Sequence, residues 1–231
     1  MSALFPSPES EEPVVVERAI GRTGGEVVLR RVGADWELVA NGVFLMDTRD
    51  GASERAMVRA SLDALPADRT GARVLIGGLG MGFSAREALD HARVAHVHVI
   101  ELEPLVITWH AGPLAPVAGR LLEDPRCEVT CADLVSWLEE ATGSYDAICL
   151  DTDNGPDWTV TEGNERLYRP AALDRLERLL SPGGVIAFWS AMPAPEFALL
   201  LERRFGAVEV IEVPARRGGP DLVYLTRPRR G

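Results

Sequence analysis

The chain has 231 residues, of which 46% are hydrophobic, and a formal net charge of -11. This length and composition suit one larger domain, or one domain with a small appendage, and exclude a globally disordered chain. The negative charge disfavours nucleic acid and anionic membranes as partners, and the lack of any lysine excludes Schiff-base and P-loop chemistry.

The chain begins with an acidic segment rich in Pro and Ser, and we expect residues 1–13 to be a disordered tail. The segment lacks the cationic and apolar regions of a signal peptide, and no apolar run has the length of a membrane span. The 3 cysteines do not have zinc-site spacing, so we expect reduced thiols and no metal site. These features predict a cytoplasmic protein.

Residues 14–50 have the pattern of a small antiparallel β unit. Apolar runs at 26–32, 36–40 and 43–47 are separated by short turns, and Asn41-Gly42 is a strong hairpin signal. The next segment, 53–65, has apolar residues at helical spacing and is followed by Pro66.

Strands and helices alternate through the rest of the chain. Strands are predicted at 74–76, 96–101, 128–131, 147–151, 185–190, 207–213 and 221–227, and helices at 133–141, 166–180 and 195–205. This alternation indicates a mostly parallel sheet with helices on both faces. The short loop PARRGGP suits an antiparallel pair of strands at one sheet edge.

A glycine-rich loop follows the first strand of this sheet and precedes a helix. Gly78, Gly80 and Gly82 allow a nucleoside-bearing ligand to approach the backbone. Glu101 ends the second strand, where a carboxylate can accept hydrogen bonds from ribose hydroxyls. The spacing G-x-G-x-G differs from the dinucleotide pattern G-x-G-x-x-G, so NAD binding is the less favoured alternative. Asp133 follows the third strand and is a candidate for the adenine amino group.

These motifs, with the turn in LLSPGG, resemble those of class I S-adenosylmethionine (SAM)-dependent methyltransferases. Within that superfamily, LIGGLGMGFSAREALDH, VIELEP and YDAICLDTDNGP are most similar to segments of the spermidine synthase (polyamine aminopropyltransferase) family. The resemblance extends from about residue 41 to residue 227. It implies a Rossmann-like class I methyltransferase fold with a seven-stranded sheet, preceded by the small β unit and formed by residues 51–231.

The resemblance also implies site residues. The loop at 78–82 would bind the methionine part of the donor, Glu101 its ribose and Asp133 its adenine. Asp151 would deprotonate or orient the attacking amine. It follows an apolar strand at the carboxyl edge of the sheet, where such folds bind ligands, and a half-buried carboxylate there can accept a proton.

The chain departs from the family's pattern on the substrate side. Met81 replaces a loop aspartate that contacts the donor's terminal amine in the family. Candidate substrate residues at or beside other altered positions are Glu54, Arg55, Asp153, Asn154 and Arg216. Trp158 and Tyr168 are candidates either for a lid over the acceptor or for aromatic side chains packed on the core. Arg55 and Arg216 would repel a polyamine if their side chains faced the site. The alternative for Arg216 is an exposed position at the tip of a hairpin, and the sequence suits both equally well.

The sequence predicts a SAM-dependent transferase that acts on a small-molecule acceptor. Methyl transfer is favoured, because loss of the loop aspartate removes a charge that would oppose the carboxylate of intact SAM. The alternatives are aminopropyl transfer from decarboxylated SAM, aminocarboxypropyl transfer, and a nucleoside-binding protein without turnover. Family members assemble through their N-terminal unit, which leaves a homodimer open for this chain.

Overall fold

The computed structural model describes residues 12–152, 154–159, 163–216 and 218–228. The chain divides into two compact units, with the boundary between Arg49 and Asp50. Most of the predicted disordered tail lies outside the described residues. No helix among those residues is long and apolar enough to cross a membrane.

The first unit is a four-stranded antiparallel sheet in sequential order. Its strands are β1 (Val14–Ile20), β2 (Glu26–Val32), β3 (Asp35–Ala40) and β4 (Val43–Asp47). Asn41 and Gly42 have positive φ angles of 52° and 77° in the predicted hairpin between β3 and β4, as a primed turn requires. The predicted antiparallel sheet is therefore confirmed.

The second unit contains a seven-stranded sheet in the order β10-β11-β9-β8-β5-β6-β7. Its strands are β5 (Ala72–Gly77), β6 (Val94–Glu101), β7 (Cys127–Cys131), β8 (Tyr145–Leu150), β9 (Leu180–Ser190), β10 (Val208–Val213) and β11 (Asp221–Thr226). β11 is antiparallel to both β9 and β10, and the other neighbouring strands are parallel. This topology confirms the predicted class I methyltransferase fold, including the antiparallel pair at the edge.

Helices cover both faces of this sheet. They are α1 (Ala52–Asp63), α2 (Phe83–Asp90), α3 (Pro104–Ala111), α4 (Leu134–Glu140), α5 (Pro170–Arg178) and α6 (Pro195–Phe205). Leu75 of β5 belongs to a core formed with α4, α5 and α6. Its neighbours Val74 and Ile76 are fully buried, and because strand side chains alternate between faces, they point towards the opposite layer, where α1, α2 and α3 pack.

Two predicted elements differ from the structure. The predicted helix at 166–180 is interrupted at Pro170, which separates a 3-10 helix, Asn164–Tyr168, from α5. Proline has no amide hydrogen for a preceding turn, but it suits the first turn of a helix. The predicted turn at Pro182–Gly184 lies inside β9, where the register with β8 shifts between Tyr145 and Ala147.

The strand order identifies the edge of the sheet where a ligand can bind. β5 lies between β6 and β8. After β5, the chain adds β6 and β7 on one side of it, and then adds β8 and the later strands on the other side. In open α/β sheets, ligands bind at the carboxyl ends of the strands beside such a switch point. The glycine loop follows β5 and Asp151 follows β8, which places both at this point.

Candidate active site

The loop between β5 and α2 requires glycine at its first bend. Gly78 has a φ of +93°, and a Cβ atom there would lie 2.2 Å from the carbonyl oxygen of Asp151. Gly80 and Gly82 also have positive φ angles. At Gly82 a Cβ atom would lie 2.6 Å from the Cβ atom of Ala118, so the loop packs closely on the protein at both ends. The donor-binding role of the three glycines remains a prediction.

Glu101, the last residue of β6, is buried beneath this loop. Its Oε2 accepts a hydrogen bond from the Leu79 amide at 2.7 Å, and its Oε1 accepts one from the Glu103 amide at 2.7 Å. Burial raises the pKa of the Glu101 carboxyl, and these amide hydrogens oppose that rise. Each carboxylate oxygen has a second lone pair, so ribose binding by Glu101 remains chemically available as a prediction.

Met81 is buried, with 3% of its surface exposed. A buried thioether carries no charge to offer to an ammonium group on the donor, and the loop thus lacks the negative charge that an aspartate would supply. Beside it, the carbonyl oxygen of Gly80 lies 2.9 Å from Nε2 of His110 on α3.

Asp133 caps the N-terminus of α4. Its Oδ1 accepts hydrogen bonds from the Ser136 amide at 2.8 Å and from the Ser136 hydroxyl at 2.6 Å. The following residue, Leu134, approaches Gly77 closely, within 2.6 Å of where a Cβ would stand. Asp133 therefore lies at the same edge of the sheet as the glycine loop. Its predicted contact with adenine is not tested by this geometry.

Asp151 directly follows β8 and is half-buried. Its Oδ2 accepts a hydrogen bond from the Ser84 hydroxyl on α2 at 3.1 Å. Burial raises the pKa of Asp151 to about 8, with a further rise from the negative charge of Glu54. A carboxyl group with such a pKa can exchange a proton near neutral pH.

Glu54, Asp151 and Asp221 form an acidic cluster that connects three elements of the second unit. Glu54 lies in the first turn of α1, and Asp221 begins β11. Burial raises the pKa of Glu54, and the charge of Asp221 adds to that rise. Burial also raises the pKa of Asp221. Like charges in a partly buried space favour a cationic ligand, because it relieves their repulsion.

The acidic cluster includes one residue that the sequence does not single out. Glu54 is a predicted substrate residue, whereas Asp221 is predicted only as the start of a strand. No local motif marks Asp221, because its proximity to Asp151 depends on how β11 enters the sheet between β9 and β10. Ser84 likewise stands out in the sequence only as part of the segment after the glycine loop.

The remaining predicted substrate residues lie in different surroundings. The Arg55 guanidinium stacks on the Phe83 ring, 4.2 Å from its centroid. Arg216 is exposed in the loop between β10 and β11. Asn154 accepts a hydrogen bond on its carbonyl oxygen from the Ala191 amide at 3.1 Å. Asp153 lies outside the described residues, and the Trp158 side chain is 49% exposed in the loop after β8.

Tyr168 is compatible in sequence with an aromatic lid over the acceptor, but the structure places it in the core. Its ring packs against Phe188 and Phe197, and its hydroxyl donates a hydrogen bond to the Thr152 carbonyl oxygen at 3.0 Å. This hydrogen bond links the segment after Asp151 to the core. Among the described residues, no group of three or more His, Cys, Asp or Glu side chains is placed to hold a metal ion.

A family model and curated proteins that are similar in sequence to this chain all concern polyamine synthesis enzymes. A family model described as "Spermine/spermidine synthase domain" matches residues 60–200. Polyamine aminopropyltransferase 1 of Streptomyces coelicolor is 37% identical over 122 residues, which are 52% of this chain and 22% of that protein. Polyamine aminopropyltransferase of Mycobacterium tuberculosis is 33% identical over 172 residues, which are 73% of this chain and 31% of that protein.

A crystal structure of spermidine synthase in complex with the transition state analogue AdoDATO has the same fold. The TM-score is 0.77 at 17% sequence identity, with 93% of this chain and 74% of that chain covered. By contrast, this chain spans about a third or less of the length of the two curated relatives described above.

Proposed function

Because the chain belongs to the spermine/spermidine synthase family, we propose that it transfers an aminopropyl group from decarboxylated SAM to a small cationic amine. The observation that carries the proposal is the acidic cluster of Glu54, Asp151 and Asp221 beside the glycine loop. In addition to burial, the charges of Glu54 and Asp221 raise the pKa of Asp151, and the charge of Asp221 raises the pKa of Glu54, which indicates carboxylates close enough to repel one another.

The same cluster bears on the choice of donor. The sequence favours methyl transfer because Met81 removes a negative charge from the loop, but the family match and the relatives support the aminopropyl alternative instead. In its ionised form, which a cationic ligand favours, the acidic cluster offers negative charge from α1, from the residue after β8 and from β11, in place of the loop aspartate. An arm that ends in an ammonium group suits these carboxylates, whereas the carboxylate of intact SAM would be repelled by them.

Several residues suit the nucleoside part of the donor. Gly78 and Gly80 are part-exposed and carry no side chain, so a ligand can reach their backbone, and Glu101 places a carboxylate at the end of β6. Asp133 would contribute at the adenine end. We assign these residues to the binding and orientation of the donor.

Asp151 is assigned to the proton. The acceptor's ammonium group gives a proton to the ionised Asp151 carboxylate, and the freed nitrogen lone pair attacks the carbon bonded to the sulfonium sulfur. A carbon–nitrogen bond forms, the carbon–sulfur bond breaks, and its electron pair stays on sulfur. The products are the extended amine and methylthioadenosine, a neutral thioether.

The test is to identify the nucleoside product by mass spectrometry after incubation with putrescine or spermidine and either donor. We expect methylthioadenosine from decarboxylated SAM and no S-adenosylhomocysteine from SAM. S-adenosylhomocysteine as the sole product would overturn the proposal in favour of methyl transfer. Donor binding without any turnover would instead support the non-catalytic alternative.

Asp151→Asn tests the assigned proton acceptor. We expect kcat/KM to fall about 100- to 10,000-fold, the range for loss of a general base, while the Kd for methylthioadenosine changes little. Asp174→Asn is the matched control, since Asp174 is a surface carboxylate paired with Arg204 at 2.9 Å. Unchanged turnover in Asp151→Asn would refute the assignment.

A further inference from the structure

His110 is a buried histidine that the proposed reaction does not use. It lies near the end of α3, and only 1% of its surface is exposed. Its Nε2 lies 2.9 Å from the carbonyl oxygen of Gly80 in the glycine loop. A Cβ atom at Gly82 would lie 2.9 Å from its Cε1 atom, so the imidazole ring packs directly against the loop backbone.

The hydrogen bond to Gly80 determines the tautomer of His110. A carbonyl oxygen only accepts hydrogen bonds, so Nε2 must carry the proton and donate it. The other ring nitrogen, Nδ1, is buried and has no hydrogen-bond partner among the described residues. Burial lowers the pKa of His110, which keeps the ring neutral.

This arrangement is more costly than packing alone requires. An apolar side chain would fill the same space without leaving a buried nitrogen unpaired, and an unpaired buried polar atom carries a desolvation penalty. The contact with Gly80 is what the histidine provides and an apolar residue would not.

The contact controls the direction of a peptide group in the loop. In a trans peptide the C=O and N–H groups lie in one plane and point to opposite sides. A bond that holds the Gly80 carbonyl towards His110 therefore directs the Met81 amide hydrogen away from it. The Leu79 amide of the Gly78–Leu79 peptide donates to Glu101 at 2.7 Å, so two peptides of the loop, with one peptide between them, are each held by a side chain.

We propose that His110 is a positioning residue that holds the Gly80–Met81 peptide in the orientation needed to bind the donor nucleoside. The proposal rests on the proposed function, because it assigns the loop to the donor. It acts on the binding of the donor and leaves the acceptor and the proton transfer at Asp151 untouched.

Two variants separate this role from packing. His110→Leu removes the donor group, and His110→Gln keeps a side-chain N–H at similar reach. We expect His110→Leu to raise the Kd for methylthioadenosine and the donor KM about five- to tenfold, the scale of one hydrogen bond. His110→Gln should restore most of the affinity, and kcat and the acceptor KM should stay within about twofold in both.

His96→Leu is the matched control. His96 lies five residues before Glu101 on β6, about 16 Å away at the usual rise of a strand, and its Nε2 lies 3.3 Å from Glu128. A wild-type Kd in a folded His110→Leu variant, or equal losses in the Leu and Gln variants, would overturn the role of His110.

A measurement on the unaltered protein covers the case in which His110→Leu does not fold. Nitrogen NMR of histidine-labelled protein reports which ring nitrogen of His110 carries the proton. Protonated Nε2 is expected, and protonated Nδ1 would overturn the proposal because Nε2 would then have no hydrogen to donate. Wild-type protein that binds neither methylthioadenosine nor decarboxylated SAM would refute the proposed function, and with it this inference, whichever tautomer is found.

Discussion

The Asp151 carboxyl is surrounded by groups that act on its pKa in opposite directions. Burial raises the pKa, as do the charges of Glu54 and Asp221, whereas the hydrogen bond from Ser84 lowers it. With a pKa of about 8, Asp151 is mostly protonated at neutral pH and becomes ionised as the pH rises. If the ionised form accepts the proton, kcat/KM rises through this range.

Ser84→Ala and Glu54→Gln should move this pH profile in opposite directions. Loss of the Ser84 hydroxyl removes a group that stabilises the ionised form, so the pKa of Asp151 rises and the acid limb shifts up by about 0.5–1 pH unit. Loss of the Glu54 charge removes a repulsion, so the pKa of Asp151 falls and the limb shifts down. The measurement is kcat/KM against pH with one acceptor.

The comparison with wild type is essential, since the acceptor amine also titrates and contributes equally to all three profiles. Arg59→Gln is a suitable control, because Arg59 pairs with Glu87 at 2.7 Å on the outer side of α1 and α2. Shifts in the same direction for Ser84→Ala and Glu54→Gln would contradict the assignment of Asp151 as the titrating group.

Individual site residues differ in how far the sequence predicts them. Glu101 ends one strand and Asp151 follows another, and strand ends of a parallel sheet meet at one edge, so a local pattern is sufficient for their position. Asp221 and Ser84 reach Asp151 only through the packing of β11 and α2, which no short segment encodes. His110 belongs to the same class, because its contact with Gly80 joins α3 to the glycine loop, and α2 and β6 lie between them in the chain.

At the scale of elements, the approach of the glycine loop to β8 should be the least tolerant of a side chain. Gly78→Ala combines a left-handed backbone, about 1–2 kcal/mol for a residue with a Cβ, with a contact 2.2 Å from the Asp151 carbonyl oxygen. The contact adds about 1–3 kcal/mol and moves Asp151. We expect a lower free energy of unfolding in urea and weaker binding of methylthioadenosine.

Gly218→Ala provides the matched variant for this prediction. Gly218 has a similar φ of +80°, and a Cβ atom there would meet no other atom within 4 Å, so the variant has the backbone strain without the contact. Equal losses of stability in both variants would show that the close approach to Asp151 has no energetic weight.

Element boundaries follow the sequence where the signals are local. β2 and β4 begin and end where the alternating pattern predicts, because Asn41-Gly42 and the neighbouring turns act on adjacent residues. β9 begins earlier than predicted, at Leu180. There the pairing of Leu180 with Tyr145 of β8 overrides the turn tendency of the glycines, a tertiary effect that composition does not report.

At the scale of the whole molecule, the net charge has the sign that suits a cationic acceptor. The chain has 35 acidic and 24 basic residues, and its acidic cluster lies at the carboxyl edge of the sheet. A negative field attracts polyamines from solution and raises their local concentration at the site. Salt screens such fields, with a Debye length of about 10 Å at 0.1 M and 3 Å at 1 M.

The acceptor KM should therefore increase with ionic strength, and it should do so more steeply for a triamine than for a diamine. Between about 0.05 and 0.5 M salt we expect a rise of about three- to tenfold, with kcat at saturating acceptor unchanged. Methylthioadenosine is neutral and probes the proposed donor-binding residues, so its Kd should change less than about twofold. If the acceptor KM rose equally steeply with salt for both amines, the screened charges would not be those that bind the acceptor. Were they the same charges, the additional ammonium group of the triamine would interact with them too and make its KM more sensitive to salt.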